Sequence, residues 1–383
     1  MGSSSFVRLL LVMAVAATST AAEKAIGDAC EGEGGAQGTC RPIADCPAAH
    51  HAVRLGARPA NCFYDGFTPV VCCPGAAPGA SPPAPAPAAG AFERVATRKC
   101  SKYGEAVFRH EISPLVSHPV KLDQCALNRL SFIPQHEIAQ ANEFPHVALL
   151  GYGDEKTPSW ECGGSLISER FVLTSANCIS SGKGIPKIVR LGERDLNTTD
   201  EINEHEDYKV AKAILHPEFE NGVLYNDIAL LRLAKDVAFT ASIRPACLHT
   251  QKDIQAQRTI ISGWGPGDWT IHEISTQLRK ANMPIRATED CKKAFKTLAT
   301  TNRLANGIEE DTMVCAGTER GKQDGCMGDA GGPLQVPLSS PYCMYSVVGV
   351  YSFGKGTCVA PFVYTRVSHF VPWIESVVWP NEK

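Results

Sequence analysis

From position 133 onward the apolar residues fall in short, β-branched runs punctuated by Gly, Pro and Asn. Val147-Ala148-Leu149-Leu150, Ser165-Leu166-Ile167, Ile188-Val189-Arg190-Leu191, Ile228-Ala229-Leu230-Leu231, Thr259-Ile260-Ile261 and Ser346-Val347-Val348-Gly349-Val350 have the length of strands. Many short strands at such spacing predict an all-β barrel or sandwich. The period changes only at the end. Phe370, Val371, Trp373, Ile374, Val377 and Val378 recur at helical spacing and predict a terminal amphipathic helix over 367–378.

The start of the chain is patterned differently. Arg8 precedes the apolar run Leu9-Leu10-Leu11-Val12-Met13-Ala14-Val15-Ala16, and the small residues Thr20-Ala21-Ala22 follow it. This is the layout of a cleaved secretory signal over residues 1–22, and the run is too short for the about 20 residues of a membrane span. Secretion implies an oxidising compartment, in which the 16 cysteines are expected to pair.

Cys30, Cys40, Cys46, Cys62, Cys72 and Cys73 crowd residues 28–74, a segment too small to fold on an apolar core without disulfide staples. Spacing alone allows about 15 connectivities. Residues 75–92, nearly all Pro, Ala and Gly, read as an extended spacer. Residues 93–132 return to ordinary composition and offer Arg94, Arg98, Lys99, Lys102, Arg109 and Arg129 to a trypsin-like protease, while residues 133–380 hold the strand pattern. A net charge of -3 and a pI near 6.4 supply no basic field for nucleic acid. The sequon Asn197-Thr198-Thr199 marks Asn197 as a glycosylation candidate.

Candidate chemistry gathers in three segments: Val172-Leu173-Thr174-Ser175-Ala176-Asn177-Cys178, Asn226-Asp227-Ile228-Ala229-Leu230-Leu231, and Asp324-Gly325-Cys326-Met327-Gly328-Asp329-Ala330-Gly331-Gly332-Pro333-Leu334. Trp160-Glu161-Cys162-Gly163-Gly164-Ser165, Arg244-Pro245-Ala246-Cys247-Leu248, Gly263-Trp264-Gly265 and Val363-Tyr364-Thr365-Arg366-Val367 accompany them. In this order they resemble the chymotrypsin-like (S1) serine proteases. The cysteine order ending in adjacent Cys72-Cys73 resembles the clip domain that precedes many arthropod members, a generic disulfide-rich module being the other reading.

The resemblance implies an all-β fold: a double β-barrel with a C-terminal helix, preceded by a small disulfide-rich clip domain. It also implies the pairs Cys30–Cys72, Cys40–Cys62, Cys46–Cys73, Cys125–Cys247, Cys162–Cys178, Cys291–Cys315 and Cys326–Cys358, leaving Cys100 and Cys343 for each other. The family carries a histidine where this chain has Asn177 and a serine where it has Ala330; Asp227 retains the carboxylate. Acyl transfer on this fold needs a hydroxyl activated by an imidazole. The methyl of Ala330 cannot attack, and the amide of Asn177 cannot take a proton near neutral pH. The expectation is therefore a triad without chemistry, an oxyanion-hole remnant at Gly328 and Ala330, and Asp227 held by Asn177 and Ser352.

Further expectations follow from the resemblance. Asp324, Ser352, Gly354 and Phe362 would form the primary specificity pocket, with Phe362 replacing a glycine and blocking it. Ile133 would be the new N-terminus of an activated chain, but Phe132 precedes it, so Arg129 is the nearest cleavage candidate. Glu193, Asp195, Asp200 and Glu204 lie where some relatives hold calcium through oxygen ligands. The function implied is a secreted haemolymph cofactor or adaptor, non-catalytic, for clip-domain proteases or prophenoloxidase in innate immunity. The competing readings are an active trypsin-like endopeptidase and a pattern-recognition protein that binds microbial surface glycans.

Overall fold

A computed structural model describes residues 25–32, 35, 37–46, 48–49, 59–65, 68–74, 93–112, 119–125, 137–180, 182–198, 205–255, 259–265, 275–317, 330–354 and 361–382. Residues 1–22 and 75–92, with Arg129, Phe132, Ile133, Asp200, Glu204, Asp324, Cys326, Gly328, Asp329 and Cys358, lie outside these residues. The chain divides into two compact units, residues 1–91 and 92–383.

In the first unit, β1 (Ala29–Glu31), β2 (Gln37–Pro42), β3 (Asn61–Asp65) and β4 (Thr68–Pro74) form one antiparallel sheet in the order β1-β2-β4-β3. Its core is little more than Val70, Val71 and buried cystines, so the disulfides do the work of a core. They join Cys30 to Cys72, Cys40 to Cys62 and Cys46 to Cys73.

The second unit opens with α1 (Val95–Gly104) and the hairpin β5 (Phe108–Ile112) and β6 (Pro119–Asp123), followed by β7 (Glu137–Ile138). A closed six-stranded barrel then forms from β8 (Val147–Gly153), β9 (Pro158–Leu166), β10 (Phe171–Thr174), β11 (Ile188–Leu191), β12 (Glu206–Leu215) and β13 (Ala229–Leu233), with the one-turn α2 (Asn177–Ser180) after β10. β8 is buried along nearly its whole length, which is why it reads as a continuous apolar run. The barrel is filled by Leu150, Leu166, Val172, Val189, Leu191, Tyr208 and Leu231.

Continuing, β14 (Cys247–Leu248), β15 (Thr259–Gly263), β16 (Arg279–Met283), α3 (Thr288–Ala294), β17 (Met313–Ala316), β18 (Pro333–Pro337), β19 (Tyr345–Phe353) and β20 (Phe362–Arg366) lead to the terminal helix α4 (Val367–Val378). The strands make an eight-stranded, barrel-like sheet, β17-β20-β19-β18-β15-β16-β7, with β14 paired to β19. The fold is thus the expected mostly-β architecture with a C-terminal helix and a disulfide-rich N-terminal region. At one margin of the sheet, residues 284–286 cover β17: Arg286 donates its N–H to Cys315 O at 2.8 Å and Gly317 donates to Pro284 O at 2.9 Å. At the other, β7 is pinned by Lys280, whose buried ammonium meets Glu143 at 2.7 Å and Glu137 at 3.4 Å.

Two expected disulfides are corrected. Cys100 bonds to Cys247 and Cys125 to Cys343, in place of Cys125–Cys247 and Cys100–Cys343. The reason lies in α1, whose buried face of Ala96, Cys100 and Tyr103 recurs at helical spacing and packs on β14, carrying Cys100 to Cys247 with Cα atoms 5.0 Å apart. After β6, the Tyr342 hydroxyl donates to Asp123 at 2.8 Å and fixes Cys125 beside Cys343. Cys162–Cys178 and Cys291–Cys315 are both formed.

Candidate functional site

The site is assembled around Asp227, whose side chain is fully buried in the turn leading into β13. The preceding residue, Asn226, adopts a φ of 54°, a left-handed conformation that asparagine tolerates, and its side-chain amide donates to Glu218 O at 3.0 Å. That turn aims the Asp227 carboxylate at α2. There Asn177 donates twice, its backbone N–H to Oδ1 at 2.8 Å and its side-chain amide to Oδ2 at 2.7 Å. From β19 the Ser352 hydroxyl also donates to Oδ2, and from β20 the Thr365 hydroxyl donates to the backbone oxygen of Asp227 at 2.7 Å. Burial pushes the Asp227 carboxyl up from its ordinary value, opposed by the hydrogen bonds from Ser352 and Asn177.

α2 is placed by its own chemistry. The Ser175 hydroxyl accepts the Cys178 N–H at 3.3 Å, capping the turn, and the Cys162–Cys178 bridge ties it to β9. Ala330 lies just before β18. Its carbonyl accepts the Gly163 N–H at 2.8 Å, and its methyl packs against the core of the first barrel. Gly331 follows with a φ of 80°, and a Cβ there would lie 2.2 Å from Thr174 Oγ1 and 2.8 Å from Gly163 O. Only glycine fits this turn. Among the described residues the site therefore brings together a buried carboxylate at 227, held by the Asn177 amide and the Ser352 hydroxyl, and a methyl group at 330, with no imidazole beside the carboxylate.

His146, His205, His216 and His249 of the second unit are engaged elsewhere. His146 is buried and hydrogen-bonded through Nε2 to Gln335, which donates onward to Ser262 at 2.8 Å; burial lowers its pKa to about 4. His216 stands edge-on to Phe370 and Trp373, both at 5.0 Å, and burial lowers its pKa too. His205 faces Glu193, and His249 Nε2 bonds Asp253 O at 3.2 Å.

Of the pocket residues, Ser352, Gly354 and Phe362 are brought together. The Phe362 ring is buried among Ile261, Met283, Ala316 and Tyr364 and packs against Gly354: a Cβ at Gly354 would be 2.5 Å from Phe362 Cδ1. The same Cβ would be 2.9 Å from the Tyr351 hydroxyl, so a second aromatic fills this wall. Tyr351 was not anticipated. The sequence signal for it is a large aromatic immediately before Ser352.

Of the four calcium candidates, Glu193 and Asp195 are described, and both are engaged within the protein. Glu193 Oε1 accepts the N–H groups of Arg194 and Asp195, at 2.8 and 2.9 Å, while Oε2 faces the Arg190 guanidinium at 3.3 Å and His205 Nδ1 at 3.4 Å. Asp195 accepts from Asn197 N and Gln277 Nε2. Among the described residues the one metal-sized group of candidate ligands is Cys30, Cys40 and Cys62, all spent in disulfides. Asn197 itself is exposed.

Comparison with known proteins agrees with this architecture. The sequence model of the family described as Trypsin matches residues 133–374. Serine protease snk of Drosophila melanogaster is 33% identical over 331 residues, 85% of this chain and 72% of that protein. Phenoloxidase-activating factor 3 of Holotrichia diomphalia is 33% identical over 63% of this chain and 71% of its own length. CLIP domain-containing serine protease B4 of Anopheles gambiae is 34% identical over 62% and 68%.

Proposed function

The chain belongs to the trypsin family, and on that premise we propose that it is a non-catalytic serine protease homologue: a secreted cofactor or adaptor in an extracellular protease cascade of innate immunity, of the prophenoloxidase or Toll type. The observation that carries the reading is the pair of replacements at the site, Ala330 for the nucleophile and Asn177 for the base. Loss of either group in a comparable triad costs about 10⁶ in turnover, and backbone donors alone supply only about 10³–10⁴ over water. The packing of Phe362 on Gly354 supports it further, because a phenyl where the family carries a glycine leaves no room beside Gly354 for a peptide side chain.

The cascade assignment draws on relatives bearing the names phenoloxidase-activating factor and clip-domain serine protease. Its partners would then be clip-domain proteases or prophenoloxidase, met by the loops of the second unit or by the first. Secretion rests on the signal pattern of residues 1–22 and on the disulfides; among the described residues no helix is long and apolar enough to cross a membrane.

The test is peptidase activity of the purified, cleaved protein on arginyl and aromatic peptide substrates. Native protein without turnover, combined with enhanced phenoloxidase activation when it is added to an active clip protease, is the expected result. Turnover that co-purifies with the native chain would restore the endopeptidase reading. Retention on peptidoglycan or β-glucan, without any effect on the protease, would favour recognition of microbial surfaces.

A further inference from the structure

We propose that the groove between the outer face of the first barrel and the C-terminal end of α4 docks an acidic, extended peptide segment of a partner protein, with an apolar side chain two residues from a carboxylate. The groove has a volume of about 650 Å³. Its floor is apolar, made by Phe171 of β10, Ile214 of β12 and Val378 of α4. One wall is rigid: Leu233 N–H donates to Arg170 O at 2.9 Å, Val237 N–H donates to Glu169 O at 2.7 Å, and Arg170 is paired with Asp236 at 2.6 Å.

The charge of the groove points to its occupant. Lys212 and Arg232 stand directly opposite each other on β12 and β13, both exposed, both lining the groove. Like charges in that relation work against the sheet. Among the described residues neither has a carboxylate within ion-pair distance: Asp236 is taken by Arg170, and Glu169 accepts the Tyr103 hydroxyl at 2.8 Å. An incoming carboxylate would relieve the repulsion and complete the pair.

Spacing narrows the choice. Lys212 and Ile214 are two residues apart on one face of β12, so the cation and the apolar floor are separated by about 7 Å. An extended peptide has the same rise, so an acidic residue at one position and an apolar one two later meet both features together. The apolar floor beside the cations favours a peptide, which carries apolar side chains to lay on Phe171, Ile214 and Val378, over a sulfated glycan, which carries none. None of these residues belongs to the Asn177, Asp227 and Ala330 site, so the proposal stands whether or not the chain is catalytic.

The experiment uses the full secreted chain on an array of acidic peptides of about eight residues, in which the position of one Phe or Leu is scanned, followed by fluorescence anisotropy on the strongest binder. The expected result is saturable binding with the apolar residue two positions from Asp or Glu, weakened about ten-fold or more by Lys212→Glu with Arg232→Glu, and weakened as salt rises from about 50 to about 300 mM. The paired Lys212→Thr and Arg232→Thr exchange, which keeps good strand formers, should weaken it less but measurably. Absence of saturable binding, or equal affinity in both variants, would overturn the proposal. So would tight binding of a heparin oligosaccharide through Lys212 and Arg232 with no peptide bound.

Discussion

Asn177 grips Asp227 with two hydrogen bonds, one from its backbone and one from its side-chain amide, at 2.8 and 2.7 Å. With the Ser352 hydroxyl added, both carboxylate oxygens are occupied, and α2, β13 and β19 are joined at one buried charge. Asp227 is a cross-link here. Its retention needs no base to orient.

Restoring the triad should not be enough to restore proteolysis. In the cleaved protein, Asn177→His with Ala330→Ser leaves Phe362 on Gly354, and arginyl amide turnover should stay at least about ten-fold below that of the triple variant that adds Phe362→Gly. Loss of a buried phenyl costs roughly 3–5 kcal/mol, so rates are to be normalised to the folded fraction by near-ultraviolet circular dichroism. Equal rates in the two variants would show that the phenyl is not the obstacle.

His146 should shape the acid limb of stability. Its folded pKa is lowered to about 4 by burial, below its unfolded value of 6.5. The contribution is therefore complete above pH 6.5 and is lost as pH falls from there through about 4, a loss of about 3 kcal/mol. Urea midpoints across that range should fall less steeply in His146→Gln by a similar amount.

Cleavage after Arg129 should not free what precedes it. Cys100–Cys247 and Cys125–Cys343 both lead from the segment before the cut to the body after it. Non-reducing electrophoresis of cleaved protein should show one band for the native chain and for the Cys100→Ser, Cys247→Ser variant. Two bands should appear only when Cys125 and Cys343 are replaced as well.

Gly331→Ala should be severely destabilising. The new methyl meets Thr174 Oγ1 and Gly163 O at a φ of 80°, and the combined overpacking and backbone strain amount to roughly 2–4 kcal/mol. Thermal denaturation checks it, and a variant as stable as the native chain would mean that the turn before β18 relaxes freely.

Much of this was legible in the sequence where local pattern and tertiary role coincide. β8 reads as a strand because it is buried on both faces, and α4 spans 367–378 as its helical apolar positions require. The Asn177 and Ser352 contacts to Asp227 were also foreseeable, since both residues stand in motifs whose order fixes their neighbourhood. α1 was not: Ala96, Cys100 and Tyr103 make a narrow apolar face among Arg98, Lys99 and Lys102, and what that face covers decides which cysteine meets which. Lys280 was equally opaque, because a strand lysine reads as a surface charge until Glu143 and Glu137 are brought against it. Lys212 and Arg232 are unremarkable in sequence and acquire meaning only through register.

The two margins of the second sheet bear on how the molecule behaves in a crowded fluid. One is closed by residues 284–286 along β17, and the other ends on β7, two residues long, beside the Glu137 and Lys280 pair. A strand seeking to extend the sheet finds a covered ladder at one side and hardly any free backbone at the other, so fibre-like growth by strand addition has little to template it. Self-recruitment through the backbone of this sheet is thereby discouraged, and association at the sheet is left to side-chain surfaces, where it can be selective.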